Sequence, residues 1–321
     1  MKNFKEFTDW VKENITAALG EGYENAVVNV SQITKGNDLN YIGLSVMPAG
    51  FNAAPTLNLE QCYKRYMQNG NLYDTLSGMA DTYRRAVPVK VDIEKMTDLE
   101  AVRDHIQLKL VSTERSTEFL KNKPHTDFMD MSAVYRIVLQ DNELQNGSQA
   151  SIPISNSLMK TYGLSVEELH EIAMENLKNR DMELSGIGKL LAKMTGMDEQ
   201  ELDASLGDDN IMYVLSNKEQ MYGAALVLDT DKMDKVADKL GGNLIVLPSS
   251  VNEVIILPES VLEQGGSYEE FKQMVQEVNA TALQPDEYLS DNVFVYDARE
   301  HELMIVDDYI RGKENNELVI E

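Results

Sequence analysis

The chain has 321 residues, of which 43% are apolar, and it carries 54 Asp and Glu against 29 Lys and Arg, a formal net charge of −25. That apolar fraction fills a packed core and excludes a wholly disordered chain, and the length allows two domains of ordinary size. The longest apolar runs, residues 244–247 and 254–257, fall far short of the ~20 residues that span a bilayer, so no membrane association is expected. In chain order, Phe4, Phe7, Trp10, Val11, Ile15, Ala18 and Leu19 recur at helical spacing, and Gly20 ends the helix. The runs AVVNVSQI and LNYIGLSV read as two strands joined by the turn KGND. Leu59, Cys62, Tyr63 and Tyr66 form one face of a second helix, and Leu72, Leu76, Met79, Ala80 and Tyr83 mark a third after Gly70. Cys62 is the only cysteine. It faces a core, has no partner for an internal disulfide and suits a reducing compartment. The opening MKNFKEFTDW lacks the basic-then-apolar pattern of a leader. The expected location is cytoplasmic.

HIQLKLV alternates, which places His105, Gln107 and Lys109 on one outward face. SAVYRIVLQ is a further strand, and the polar stretch over 142–147 is read as the boundary between an N-terminal subdomain (1–146) and a C-terminal one (147–321). The charge changes with it. Residues 1–150 hold 20 acidic and 16 basic side chains, residues 151–321 hold 34 and 13. A short strand, QASIPIS, precedes the helix SVEELHEIAMENLK, where Ser165 and Glu168 have capping-box spacing and His170 falls beside the apolar stripe as a partly buried structural histidine. Residues 186–207 read as one or two short helices joined by loops. IMYVL and AALVL read as strands, TDKMDKVADKL as a helix, LIVL and VIIL as strands, giving a strand-strand-helix-strand-strand unit at 211–258. A helix capped by Ser267 and Glu270 and a hairpin from VFVYD to HELMIV follow, and RGKENNELVIE reads as a fraying polar tail. The fold class is α+β, with antiparallel or mixed sheets and helices packed on one face.

The stretch NKPHTDFMDM gathers His125, Asp127 and Asp130 within six residues of a chain that has four histidines. Imidazole and carboxylate so close can bind a divalent cation or move a proton, with Asp208 and Asp209 of the GDDN loop as further ligands. The competing reading is structural: Pro124 fixes a turn, Phe128 and Met131 go inward, and Asp127 or Asp130 caps local amides. Other templates fail. Met174 stands where a metalloprotease helix needs its second histidine, and Met233 interrupts the calcium-loop spacing of Asp229 and Asp231, which fit a helix N-terminus instead. Gly186 and Gly188 lack the third glycine of a dinucleotide fingerprint, and neither a phosphate loop nor a GxSxG elbow is present. No cofactor is expected.

Three blocks carry a resemblance: NLEQCYKRYMQNGNLYDTLSGMADTYRR, NKPHTDFMDMSAVYRIVL, and the long run from IMYVLSNKEQMYGAALVLDTDK to VIILPE. They resemble successive blocks of a bacterial domain-of-unknown-function family, DUF 5688, over roughly residues 55 to 310, and the C-terminal half is more faintly similar to the DUF 1444 family. The resemblance implies a cytoplasmic protein of anaerobic Firmicutes and supplies no catalytic residues. In that family a histidine often follows LPSS where this chain has Asn252; asparagine keeps a turn hydrogen bond but does no acid–base work. The sequence leaves catalysis open and favours a non-catalytic binding protein whose acidic C-terminal half engages a basic protein partner. A metal-dependent or acid–base hydrolase built on His125, Asp127 and Asp130 is the alternative. Direct nucleic-acid binding is not expected, and nothing in the sequence sets an oligomeric state.

Overall fold

The computed structural model describes residues 1–85, 88, 90–139, 150–198, 200 and 211–320. The turn over 142–147, read above as a boundary, lies outside the described residues, as do Asp208 and Asp209. The chain forms two compact units: Met1–Arg103 with Ile137–Ile152, and Asp104–Arg136 with Pro153–Glu321.

The first unit starts with α1 (Phe4–Leu19), whose end is closed by a reciprocal cap: Asn3 accepts from Glu6 N, and the Glu6 carboxylate accepts from Asn3 N. Phe7, Val11, Ile15 and Leu19, one turn apart, form its buried line. Strands β1 (Val27–Thr34) and β2 (Asn40–Met47) pair antiparallel over their whole length, with Val27 opposite Met47 and Thr34 opposite Asn40, and β3 (Thr56–Asn58) adds to β2. Helices α2 (Leu59–Asn69) and α3 (Leu72–Arg85) follow, and Gly70 at φ 70° permits the left-handed turn that ends α2. Their apolar faces meet α1 and the sheet in one core that includes Phe7, Val11, Leu44, Val46, Leu59, Tyr66, Met79 and Tyr83. Each fully buried aliphatic or aromatic side chain there contributes ~1.5–3 kcal/mol. The buried Tyr83 hydroxyl accepts from Val46 N at 2.6 Å and donates to Pro55 O. Cys62 is half-buried, and burial pushes its thiol up to about 11. A thiol held protonated is a poor nucleophile, in keeping with a packing role. Two short helices, α4 (Ile93–Thr97) and α5 (Leu99–Val102), are capped by Asp92 and Asp98.

Two further sheets follow. The smaller is built from β4 (Ile106–Ser112), β5 (His125–Phe128) and β6 (Met131–Val138) in the order β4-β6-β5, with α6 (Thr117–Leu120) between β4 and β5 in sequence. Strand β7 (Ser151–Pro153) also pairs with β6. The end of β6 and the start of β7 lie in the segment Ile137–Ile152. NKPHTDFMDM is therefore an arm and tip of a hairpin rather than a loop feeding a strand. His105 belongs to a 3-10 turn before β4, and Gln107 and Lys109 are half-buried rather than outward. After α7 (Asn156–Tyr162), α8 (Val166–Asn179) lies along β4, where Asn176 Nδ2 donates to Ile106 O at 2.9 Å. The expected Ser165–Glu168 capping box is present, and Leu169, Ile172, Ala173 and Leu177 are buried.

The larger sheet comprises β8 (Glu183–Gly186), β9 (Tyr213–Ser216), β10 (Leu244–Pro248), β11 (Val254–Pro258), β12 (Phe294–Asp297) and β13 (Glu302–Ile305). Their order is β13-β12-β10-β11-β9-β8, and neighbours are antiparallel. Helices α9 (Ile187–Thr195), α10 (Thr230–Leu240), α11 (Tyr268–Thr281) and α12 (Val306–Ile320) are inserted along it. Phe271 and Val275 of α11 and Val306 and Tyr309 of α12 pack on Ile245, Leu247, Val293 and Val295. Their alternate, Tyr296, points the other way and donates to Asp234 of α10 at 2.6 Å. The helix layer expected on one face thus has a counterpart on the other, within an α+β fold of antiparallel sheets.

Two further elements differ from the sequence reading. AALVL is part of a 3-10 helix, Gly223–Leu228, so residues 211–258 run strand, 3-10 helix, helix, strand, strand. A five-residue apolar run has no period to separate helix from strand, and burial of Gly223 through Val227 made it look like a core strand. Over the described residues 311–320, the segment read as a fraying tail continues α12. Its first turn, Val306 to Tyr309, is anchored in the core, and tertiary packing of that kind outweighs a polar composition.

Candidate functional site

The β5–β6 register decides what the sequence-predicted triad can do. His125 pairs with Val134 and Asp127 with Ser132, so His125, Asp127, Ser132, Val134 and Arg136 share one face, while Thr126, Ala133 and Tyr135 share the other. His125 Nδ1 lies 2.9 Å from Lys123 O. A carbonyl only accepts, so Nδ1 carries the hydrogen and Nε2 is the basic nitrogen. Exposed Asp127 accepts from Ser132 Oγ at 2.8 Å, and that hydroxyl also meets Thr113 Oγ1 at 2.8 Å. Asp130 stands at the hairpin tip after Met129, whose φ is 54°, and turns away from both. Its Oδ2 accepts from Ser290 Oγ at 2.5 Å and from Asn292 Nδ2 at 3.0 Å, and its carbonyl accepts from Thr113 N.

Asp130 therefore ties the hairpin to the segment before β12. The same segment is held by the Arg115 guanidinium, which lies 3.4 Å from the centre of the Tyr288 ring and 3.3 Å from Asp291 Oδ2. Asn279 Nδ2 adds bonds to Ser290 O and Asp291 Oδ1. Burial pushes the Tyr288 hydroxyl up to about 12. Among the described residues, no three His, Cys, Asp or Glu side chains converge in a way that could hold a metal ion. Replacing Asp130 with alanine strands the fully buried Ser290 hydroxyl and the Asn292 amide. We expect a stability loss of about 1–3 kcal/mol by chemical denaturation, with no change in bound metal by elemental analysis.

On the opposite face, the Tyr135 hydroxyl sits between Thr126 Oγ1 at 2.6 Å and His170 Nδ1 at 3.1 Å. Burial raises the Tyr135 hydroxyl to about 12 and holds His170 below its ordinary range, so the neutral imidazole accepts from the phenol. His170 is the structural histidine anticipated from its place beside the stripe.

A third arrangement was not legible in the sequence. Between β9 and the 3-10 helix, the loop over 217–222 is pinned by two asparagine side chains. Fully buried Asn217 donates to Met221 O at 2.9 Å and accepts from Met221 N at 3.2 Å. Asn252 Oδ1 accepts from Tyr222 N at 3.1 Å, and Asn252 O accepts from Ser216 Oγ at 2.7 Å. Gln220 and Tyr222 are both left-handed, at φ 49° and 56°. Non-glycine residues occupy that region only where surrounding structure enforces it, and such strain gathers at functional positions. Tyr222 is presented to Lys109 of β4 and Arg136 of β6, which approach its ring centre to 5.3 and 5.4 Å. Asn252 thus acts as a turn clamp, the role its side chain permits.

These features define a two-unit α+β protein whose chemically distinctive groups lie on one small sheet and one strained loop. The chain belongs to the family described as "Family of unknown function (DUF5688)", whose model matches residues 4–298. The fainter likeness to the DUF 1444 family is not shown. No curated protein matches the chain, and no solved structure does.

Proposed function

We propose that this chain is a non-catalytic cytoplasmic binding protein whose second unit engages a basic protein partner through an acidic surface. The observation that carries this reading is the division of charge between the units: 39 acidic and 18 basic side chains in the second against 15 and 11 in the first. Glu263, Glu269, Glu270 and Glu277 are exposed on and before α11, and its single lysine, Lys272, is engaged with Asp307 at 3.4 Å. Met274 and Val278, each 40% exposed, continue the helical line that Glu270 begins. An apolar centre with an acidic rim suits a basic amphipathic segment and repels nucleic acid and anionic lipid.

A fluorescently labelled lysine-rich amphipathic peptide, titrated with the full chain and read by anisotropy, tests this. Binding should weaken steeply between low salt and ~0.5 M salt, where the Debye length drops to a few ångströms. The Glu269→Gln, Glu277→Gln double variant should weaken it at low salt, while Glu270 is left in place because its carboxylate accepts from Ser267, the N-cap of α11. Affinity that is indifferent to salt would defeat the electrostatic reading.

A further inference from the structure

Strand β1 is the edge of its sheet, and its outer side is open. Among the described residues, β2 is its one neighbouring strand, and no backbone hydrogen bond of residues 27–34 goes elsewhere. At eight residues it is the longest edge strand among the described residues, and its register against β2 runs from Val27 to Thr34 without a bulge. An exposed edge of this kind is a template for a further strand, and proteins that avoid pairing there place a charge, a proline or a bulge on it. The strand VVNVSQIT has none of the three. Val27 is 64% exposed, and Asn29, Ser31, Gln32 and Thr34 are exposed with it.

The strand is also its own complement. Val28 and Val30 pack against the core, so Val27, Asn29, Ser31 and Ile33 line the opposite face of the sheet. Side chains directly opposite in antiparallel strands lie on one face, so pairing β1 with its own copy sets odd-numbered residues against odd-numbered ones. In the register centred on Val30, Val27 meets Ile33 of the second copy and Asn29 meets Ser31 of the second copy, apolar against apolar and polar against polar. Centring on Ser31 sets Asn29 against Ile33 and loses that match. Charge allows the same approach. The nearest charged residues on either side of the strand, Glu24 and Lys35, have opposite signs, so antiparallel alignment keeps like charges apart. Both are held within the chain, Glu24 accepting from Gly22 N at 3.0 Å and Lys35 lying 5.7 Å from the centre of the Tyr41 ring, so no new ion pair is needed. The first unit, with 15 acidic and 11 basic side chains, has a balance of only −4, whereas the second, with 39 and 18, repels its own copy at −21.

We propose that β1 is a docking edge for a second copy of this chain, pairing antiparallel with the β1 of that copy about Val30 and joining two three-stranded sheets into one of six strands. The edges that remain are then the three-residue β3 strands, too short to recruit another chain. Strand β1 belongs to the first unit and the acidic surface of α11 to the second, so either proposal can fail without the other.

Sedimentation velocity of the full chain over a concentration series, in enough salt to screen its net charge of −25, tests this. A reversible dimer is expected, and hydrogen exchange of the amides of residues 27–34 should slow as it forms. Asn29→Lys with Ser31→Lys sets like charges directly opposite across the pairing and should weaken dimerisation at least about tenfold, whereas Asn29→Lys with Ser31→Glu sets unlike charges there and should restore it. Inside one copy these positions face Ser45 and Gly43, so neither variant opposes charges across the β1–β2 pairing. If the dilysine variant unfolds, the exchange result decides. A chain that stays monomeric at every concentration, leaving β1 open or available to an extended segment of another protein, overturns the proposal. So does a dimer in which residues 27–34 exchange no more slowly, or one that a folded dilysine variant forms equally well.

Discussion

Replacing Asp229 with alanine should destabilise the second unit by about 3–5 kcal/mol, the cost of leaving one member of a buried ion pair alone. Asp229 is the N-cap of α10, accepting from Lys232 N at 3.3 Å, and its other oxygen lies 2.9 Å from Lys232 Nζ. The two side chains are only 2% and 9% exposed. Without the carboxylate, the bond that remains to the Lys232 ammonium among the described residues is the one to Lys178 O at 2.7 Å. The helix also loses its cap, worth ~1 kcal/mol. The double variant Asp229→Asn, Lys232→Met removes both charges, retains a capping oxygen and should recover most of the loss. Chemical denaturation followed by circular dichroism measures this, with Trp10 fluorescence recording the first unit separately.

Gly223→Ala should cost about 3 kcal/mol, at the upper end of overpacking effects. A Cβ there would stand 2.4 Å from Ser216 Oγ and 2.5 Å from Asn252 O, with the Asn217 amide nitrogen at 3.0 Å. The last two are backbone atoms of the segments that clamp the loop, and they cannot swing aside as a side-chain end can. Gly312 provides the contrast. It lies inside α12, its Cβ would meet nothing within 4 Å, and alanine there should stabilise by about 0.5–1 kcal/mol through helix propensity. Equal behaviour of the two alanine variants would refute the packing argument at Gly223.

Much of the fold was legible because it is local. The apolar lines of α1, α2, α3 and α8 repeat at helical spacing, and Gly20 and Gly70 mark the stops of α1 and α2. The β1–β2 and β12–β13 hairpins join strands close in sequence. The DTD stretch was read as a helix start, and Asp229 caps α10 there. What the sequence concealed is long-range. Lys109 looks like part of the wet side of an alternating strand until the Tyr222 ring, more than a hundred residues later, meets its ammonium. The acidic group at Asp130 suggests metal chemistry until Ser290 and Asn292, some 160 residues away, occupy its oxygen. Residue type alone does not reveal such partners, because register and loop conformation choose them. The strain at Tyr222 left one trace, the bulky residue before Gly223 in MYGAAL, but nothing local marks that tyrosine as left-handed.

The acidic second unit as a partner-binding surface is the central claim, and affinity capture from lysate of the native organism tests it most directly. The wild-type chain and the Glu269→Gln, Glu277→Gln variant would be compared at low and high salt, with captured proteins identified by mass spectrometry. A basic protein should be retained by the wild type at low salt, released at high salt and depleted on the variant. A partner retained equally under all four conditions, or no specific partner at low salt, would contradict it.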